Sequence, residues 1–131
     1  MAELDVLLVL TSEADPKRAE ALAQALLEQR LVACVTLQPC SSRYHWQGRI
    51  EKGSEVLLLL KTQPHRLEEL QHTVKELHSY ETPMWLHWRA GSSDAYSGWM
   101  AAALTGGAGT LSPGGAPPAP AVRPGDGDRA G

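Results

Sequence analysis

Apolar residues fall along this chain in four short runs, separated by two longer stretches in which they recur every three or four positions. Leu4 to Leu10 is an apolar run ended by Thr11-Ser12, with the length and branched content of a buried strand. Asp15-Pro16 then opens a helix, because proline suits the first helical turn and the Asp15 carboxylate can cap it. Ala19, Leu22, Ala23, Leu26 and Leu27 follow at helical spacing up to Arg30. Leu31 to Leu37 is a second run. Interrupted at Pro39, it continues in the alternating set Tyr44, Trp46 and, past Gly48, Ile50, so it reads as a long kinked strand with Gly48 or Gly53 at the turn. Glu55 to Lys61 predicts a third strand, and Thr62-Gln63-Pro64 caps a helix that buries Leu67, Leu70, Val74 and Leu77. Thr82 to Ala90 reads as a fourth strand with Pro83 near its start, and Asp94 to about Ala102 as a short last helix.

The order β-α-β-β-α-β predicts an α+β, ferredoxin-like sandwich: two strand–helix–strand crossovers joined by a hairpin, with both helices on one face of the sheet. The other face should then be polar, as half-solvated sheets are. It is not. Leu7 and Val9 oppose Val6, Leu8 and Leu10; Leu57 and Leu59 oppose Val56, Leu58 and Leu60; Trp85 opposes Met84, Leu86 and Trp88. Something must cover the second face, and with no chain left to do so the pattern predicts another copy of the protein.

Composition changes this picture at one end and narrows the partners. From 103 to 131 the chain is rich in Gly, Pro and Ala, which predicts a disordered tail behind a single domain of residues 1–102. A formal net charge of -3 gives no electrostatic reason to expect nucleic acid or an anionic membrane as partner. The N-terminal Met1-Ala2-Glu3-Leu4-Asp5 has acids where a leader would have bases, and no apolar run approaches the ~20 residues of a spanning helix, so the expected location is soluble and cytoplasmic. Two cysteines are too few for a disulfide framework and suit a reducing compartment.

No nucleophile elbow, phosphate-binding glycine loop or HExxH pattern is present, so the chain does not read as an enzyme. His65 and His72 lie about 10 Å apart along one helix, too far to share a metal ion. Cys34 and Cys40 read as ordinary buried thiols, with Pro39 shifting the register between them. The denser group is His78-Ser79-Tyr80-Glu81-Thr82-Pro83, between the second helix and the last strand. Its imidazole, phenol and carboxylate suit either a metal site or a polar ligand pocket, set against a histidine that only caps a helix. As metal ligands, His78 and Glu81 would suit copper or zinc, with Cys34 a softer third. Lys61 ends an otherwise apolar strand, either snorkelling at an edge or placing a cation at an oligomer seam.

These residues bring a resemblance into view. Leu31-Val32-Ala33-Cys34-Val35, the ribbon Tyr44 to Glu51, Ser54-Glu55-Val56, Lys61-Thr62, His78 to Pro83, and Tyr96 with Trp99 together make the chain similar to the CutA family of divalent cation tolerance proteins over nearly all of residues 4 to 100. The resemblance implies a ferredoxin-like homotrimer whose long hairpin reaches a neighbouring subunit, with copper and other divalent cations as proposed ligands and no required cofactor. It also implies an architecture similar to the PII signalling proteins, so a trimeric scaffold or small-molecule sensor is the alternative role. Any ligand is then expected at the subunit seam near His78, Tyr80 and Glu81, walled by Lys61, Tyr44, Trp46 and Trp99. Two departures stand out: Ser79 replaces the usual proline of the His-Pro-Tyr-Glu motif, and Met84-Trp85 stand where an acid is common.

Overall fold

The computed structural model describes residues 6–106. Its four strands are β1 (Val6–Glu13), β2 (Cys34–Trp46), β3 (Arg49–Thr62) and β4 (Leu86–Ala90), hydrogen-bonded in the order β2-β3-β1-β4 with every neighbouring pair antiparallel. Helices α1 (Pro16–Glu28) and α2 (Leu67–Leu77) fill the two crossovers, and α3 (Asp94–Thr105) follows β4. This is the ferredoxin-like arrangement that the element order predicts. None of the helices among the described residues is long and apolar enough to cross a membrane.

Local chemistry explains the helix ends. The Asp15 carboxylate accepts from the Arg18 amide at 2.8 Å, and Pro16 occupies the first turn of α1. At the other end the amides of Arg30 and Leu31 donate back to the carbonyls of Leu27 and Leu26, the Schellman pattern, with Arg30 in the left-handed region at φ 56°. A non-glycine there costs about 1–2 kcal/mol. The Arg30 guanidinium is used elsewhere: it donates to the Ala103 carbonyl at 2.7 Å, and Arg66 donates to the Leu104 carbonyl at 2.9 Å. Two arginines from separate elements thus hold the C-terminal carbonyls of α3, while Gly106 ends that helix at φ 79°.

One face of the sheet meets α1 and α2. Leu7 and Val9 of β1 and Val56, Leu58 and Leu60 of β3 pack there with Ala19, Leu22, Ala23 and Leu26 of α1 and with Leu70 and Val74 of α2. The opposite face carries a second cluster, in which Met100 and Leu104 of α3 pack on Val6 beside Leu8, Ala33, Tyr96 and Trp99. The chain therefore covers part of its own second face, which corrects the expectation that none was left to do so. α3 reaches Thr105 because Ala101, Ala102 and Ala103 are the strongest helix formers, and Leu104 is 1 % exposed. Beyond α3 the face stays open: Leu10, Leu57 and Leu59 are half-buried, Leu86 is 54 % and Trp88 44 % exposed.

Other boundaries also move. β1 runs through Thr11, Ser12 and Glu13, which pair with Leu58, Leu57 and Val56. β2 pairs with β3 on both sides of Pro39 without a shift of register, since an edge strand tolerates a proline that lacks the N–H. Cys34 and Cys40 consequently share a face, both free. The turn lies at Gln47-Gly48, both at positive φ as a two-residue hairpin requires, so Ile50 belongs to β3 and Gly53 lies within that strand. A 3-10 turn, Pro64–Arg66, precedes α2, and Leu77 is exposed rather than buried. The stretch Thr82–Trp85 is irregular, so β4 starts only at Leu86. Of the tail expected from residue 103, residues 103–105 belong to α3, while residues 107–131, like Leu4, lie outside the described residues.

If α3 is held as described, a chain ended after Ala102 should unfold with about 2–5 kcal/mol less stability than one ended after Gly106, the range for losing a buried leucine. Urea denaturation of the two chains checks this; equal midpoints would show that Leu104 contributes nothing.

Candidate functional site

The chain turns sharply where α2 ends. His78 is the C-cap residue, its amide donating to the Val74 carbonyl at 2.9 Å, and its ring folds back beneath the end of β1. The Tyr80 amide donates to Nδ1 at 2.9 Å. A backbone N–H can only donate, so Nδ1 carries the lone pair and Nε2 the proton, which goes to the Ser12 carbonyl. Both ring nitrogens are engaged and the side chain is fully buried. The 3.6 Å approach of Nδ1 to Glu13 Oε2 is then the contact of a neutral imidazole with a carboxylate.

Ser79, next in line, donates to Glu13 twice, from its amide at 3.0 Å and from its hydroxyl, while the Ala14 amide adds a third bond at 2.9 Å. Burial pushes the Glu13 carboxyl up. The Ser79 hydroxyl and the Ser79 and Ala14 amides outweigh it, so the carboxyl is held below its usual range. Tyr80 then crosses to the other face, its hydroxyl donating to Glu55 Oε2 at 2.7 Å. Glu55 also accepts from Ser42 at 2.9 Å and Ser12 at 3.3 Å. Burial, then the bond to Glu55, hold the Tyr80 phenol far above its ordinary range, so it stays a donor. Three consecutive residues thus clasp the end of β1: His78 on its backbone, Ser79 on the helix side, Tyr80 on the open side.

The second group of expected site residues lies further along the same sheet face. Lys61 Nζ sits 3.0 Å from Thr36 Oγ1 and 3.8 Å from Cys34 Sγ. Tyr96 and Trp99 of α3 stack beside them, ring centroids 5.7 Å apart. Burial first, then the Cys34 thiol, raise the Tyr96 phenol. Cys34 pairs with Lys61, four residues along β3 from the partner of Ser12, which puts it about 13 Å from the His78 clasp.

The expected pocket residues therefore form two groups within one chain. His78 and Tyr80 mark one end of the open face, with Tyr44 up the hairpin; Lys61, Cys34 and Trp99 mark the other. Glu81 is exposed and makes no bond to His78, and Trp46 stands 57 % exposed at the hairpin tip. Among the described residues no three His, Cys, Asp or Glu side chains converge as a metal site. Sequence reasoning passed over Glu13 and Glu55 as functional residues. Their signal was an acid at the end of a strand that is otherwise apolar, where a carboxylate needs dedicated donors. On the helix side a cavity of about 220 Å³ lies between α1 and the clasp, lined by Glu13, Arg18, Ala21, Leu22, Ala25, Leu77 and Ser79.

The chain as a whole is similar to known proteins. A profile described as CutA1 divalent ion tolerance protein matches residues 7–103. The chain is 36 % identical over 104 residues to the divalent-cation tolerance protein CutA of Thermococcus kodakarensis, covering 79 % of this chain and 100 % of that protein. It is 40 % identical over 103 residues to the CutA of Pectobacterium atrosepticum, covering 76 % and 93 %. Among solved structures, CutA from Synechococcus elongatus superimposes with a TM-score of 0.76 at 35 % identity, over 79 % of this chain and 94 % of that one.

Because Glu13 is held below its usual range in the folded chain, its contribution to stability is complete above the ordinary glutamate pKa of about 4.3 and is lost as pH falls below it. Urea midpoints of the wild type should drop more steeply between about pH 5 and pH 3 than those of Glu13→Gln; parallel profiles would show the carboxylate is not the group responsible. At neutral pH, Ser79→Ala should lower stability by about 1.5–3 kcal/mol, the value of a hydrogen bond to a charged group.

Proposed function

Because the chain belongs to the CutA1 divalent ion tolerance family, we propose that it acts as a homotrimer in the tolerance of divalent metal ions, copper among them, without catalysing a reaction. The observation that supports the assembly is the apolar half-face of Leu10, Leu57, Leu59, Leu86 and Trp88 that α3 leaves open. Fully burying an exposed side chain of this kind is worth about 1.5–3 kcal/mol, and each of these has only part of that left to gain, so the driving force for a covering copy comes from their sum. The hairpin points the same way. Beyond Val56 the ribbon of β2 and β3 has no third strand among the described residues, and Tyr44, Trp46 and Ile50 are exposed on it. A two-stranded ribbon is only marginally stable unless it packs on something.

Within one copy the described donors do not enclose an ion, so metal binding in this reading belongs to the assembled protein. The free thiols Cys34 and Cys40 lie on the open face, where a neighbouring copy could complete a soft site. A second reading, a trimeric scaffold or PII-like small-molecule sensor, is favoured by Lys61, a cation on that same face.

Light scattering on the purified chain should give three times 14.2 kDa; a monomer mass would contradict the proposal. Calorimetric titration with copper and zinc then separates the roles: saturable heat supports metal binding, and its absence leaves the sensor reading.

A further inference from the structure

Across the open face one row of paired residues runs Cys34, Lys61, Leu8, Trp88. Lys61 is the charged member of an otherwise apolar row, with Leu59 next on the same face of β3, and its neighbour Cys34 lies near Tyr96, which stacks on Trp99 of α3. Its ammonium touches only a hydroxyl and a thiol, and no carboxylate pairs with it among the described residues. The acids of the same sheet face are committed elsewhere. Glu55 accepts from Ser12, Ser42 and Tyr80, and Glu51 pairs with Arg49 at 3.2 Å.

A second copy laid over this face would take the Lys61 ammonium out of water. A charge so desolvated needs a counter-charge, and replicas of this face bring none that is free. Thr36 Oγ1 accepts from Lys61, which leaves its own proton to donate. Tyr96 stays protonated at neutral pH, held there by burial.

We propose that Lys61 and Thr36 bind the oxyanion of a small molecule, a phosphate or a carboxylate, where the covered sheet face meets α3. The site rests on the reading that another copy covers this face. It takes an anion, so it is distinct from any site for a divalent cation. The stacked Tyr96 and Trp99 supply an apolar wall for whatever carries the anionic group.

Inorganic phosphate titrated calorimetrically into the full chain at constant ionic strength, against sodium chloride, tests this. Saturable heat is expected, with sodium acetate in a parallel titration separating phosphate from carboxylate preference. Lys61→Met should weaken binding at least about tenfold, which is 1.4 kcal/mol, with the mass by light scattering unchanged, and Lys61→Arg should keep binding within a few-fold. No saturable heat with either anion, or equal heat in Lys61→Met, overturns the site. Dissociation of Lys61→Met while Lys61→Arg stays assembled would also overturn it, because Lys61 would then be paired with a neighbour's carboxylate. A wild-type chain that weighs as a monomer yet binds phosphate through Lys61 would refute the assembly and retain the site.

Discussion

Aliphatic side chains stand on both faces of β1 and β3, the two central strands, so two layers must be laid on one sheet. Leu7, Val9, Leu58 and Leu60 take the first layer from α1 and α2. Val6 and Leu8 take part of a second from α3. What lies further along, from Leu10 to Leu86, has no cover among the described residues. The short α3 cannot reach it: a twelve-residue helix spans about 18 Å, and its C-terminal end is fixed by Arg30 and Arg66. The open patch, the unsupported hairpin and a Lys61 with no carboxylate partner among the described residues are all consequences of that one sheet having more apolar surface than residues 6–106 hide.

The same constraint made the fold legible in the sequence. Two apolar faces, Asp15-Pro16 at a helix start and helical spacing from Ala19 to Leu26 specify the element order with little ambiguity. Edges were harder, for physical reasons. Thr11, Ser12 and Glu13 look like a strand end by polarity, yet the pairing continues because Glu13 finds three donors that lie 65 or so positions away or next door in the chain. Pro39 looks like a break, and only its place on an edge strand makes it harmless. Leu104 sits beside a glycine-rich stretch, yet it is buried, at a helix end whose carbonyls are held by guanidinium groups from the turn after α1 and the turn before α2.

The site was less legible, since its residues meet through register rather than spacing. His78, Glu81 and Cys34 make a plausible donor set as residue types. Strand pairing, however, carries Cys34 to Lys61, while the turn after α2 sets His78 against Ser12 and spends both imidazole nitrogens on backbone groups. Ser79, which departs from the proline that the family resemblance leads one to expect, has a physical role here: its amide and hydroxyl both bond Glu13, and a proline offers neither donor. The clasp it completes holds Tyr80 on Glu55, at the rim of the open face.

The account stands or falls on whether that face is an interface. Leu59 is at its centre, half-buried in one copy and flanked by Leu10 and Thr36 in the sheet. Leu59→Glu would be tolerated on a face open to water, but in a covered one its carboxylate would be taken out of water with only Lys61, two residues along the same face, to offset it. Light scattering of Leu59→Glu, with circular dichroism to confirm a folded sheet, is the direct measurement. The account predicts a folded chain near 14.2 kDa where the wild type is several times heavier; a folded Leu59→Glu chain with the mass of the wild type would contradict it.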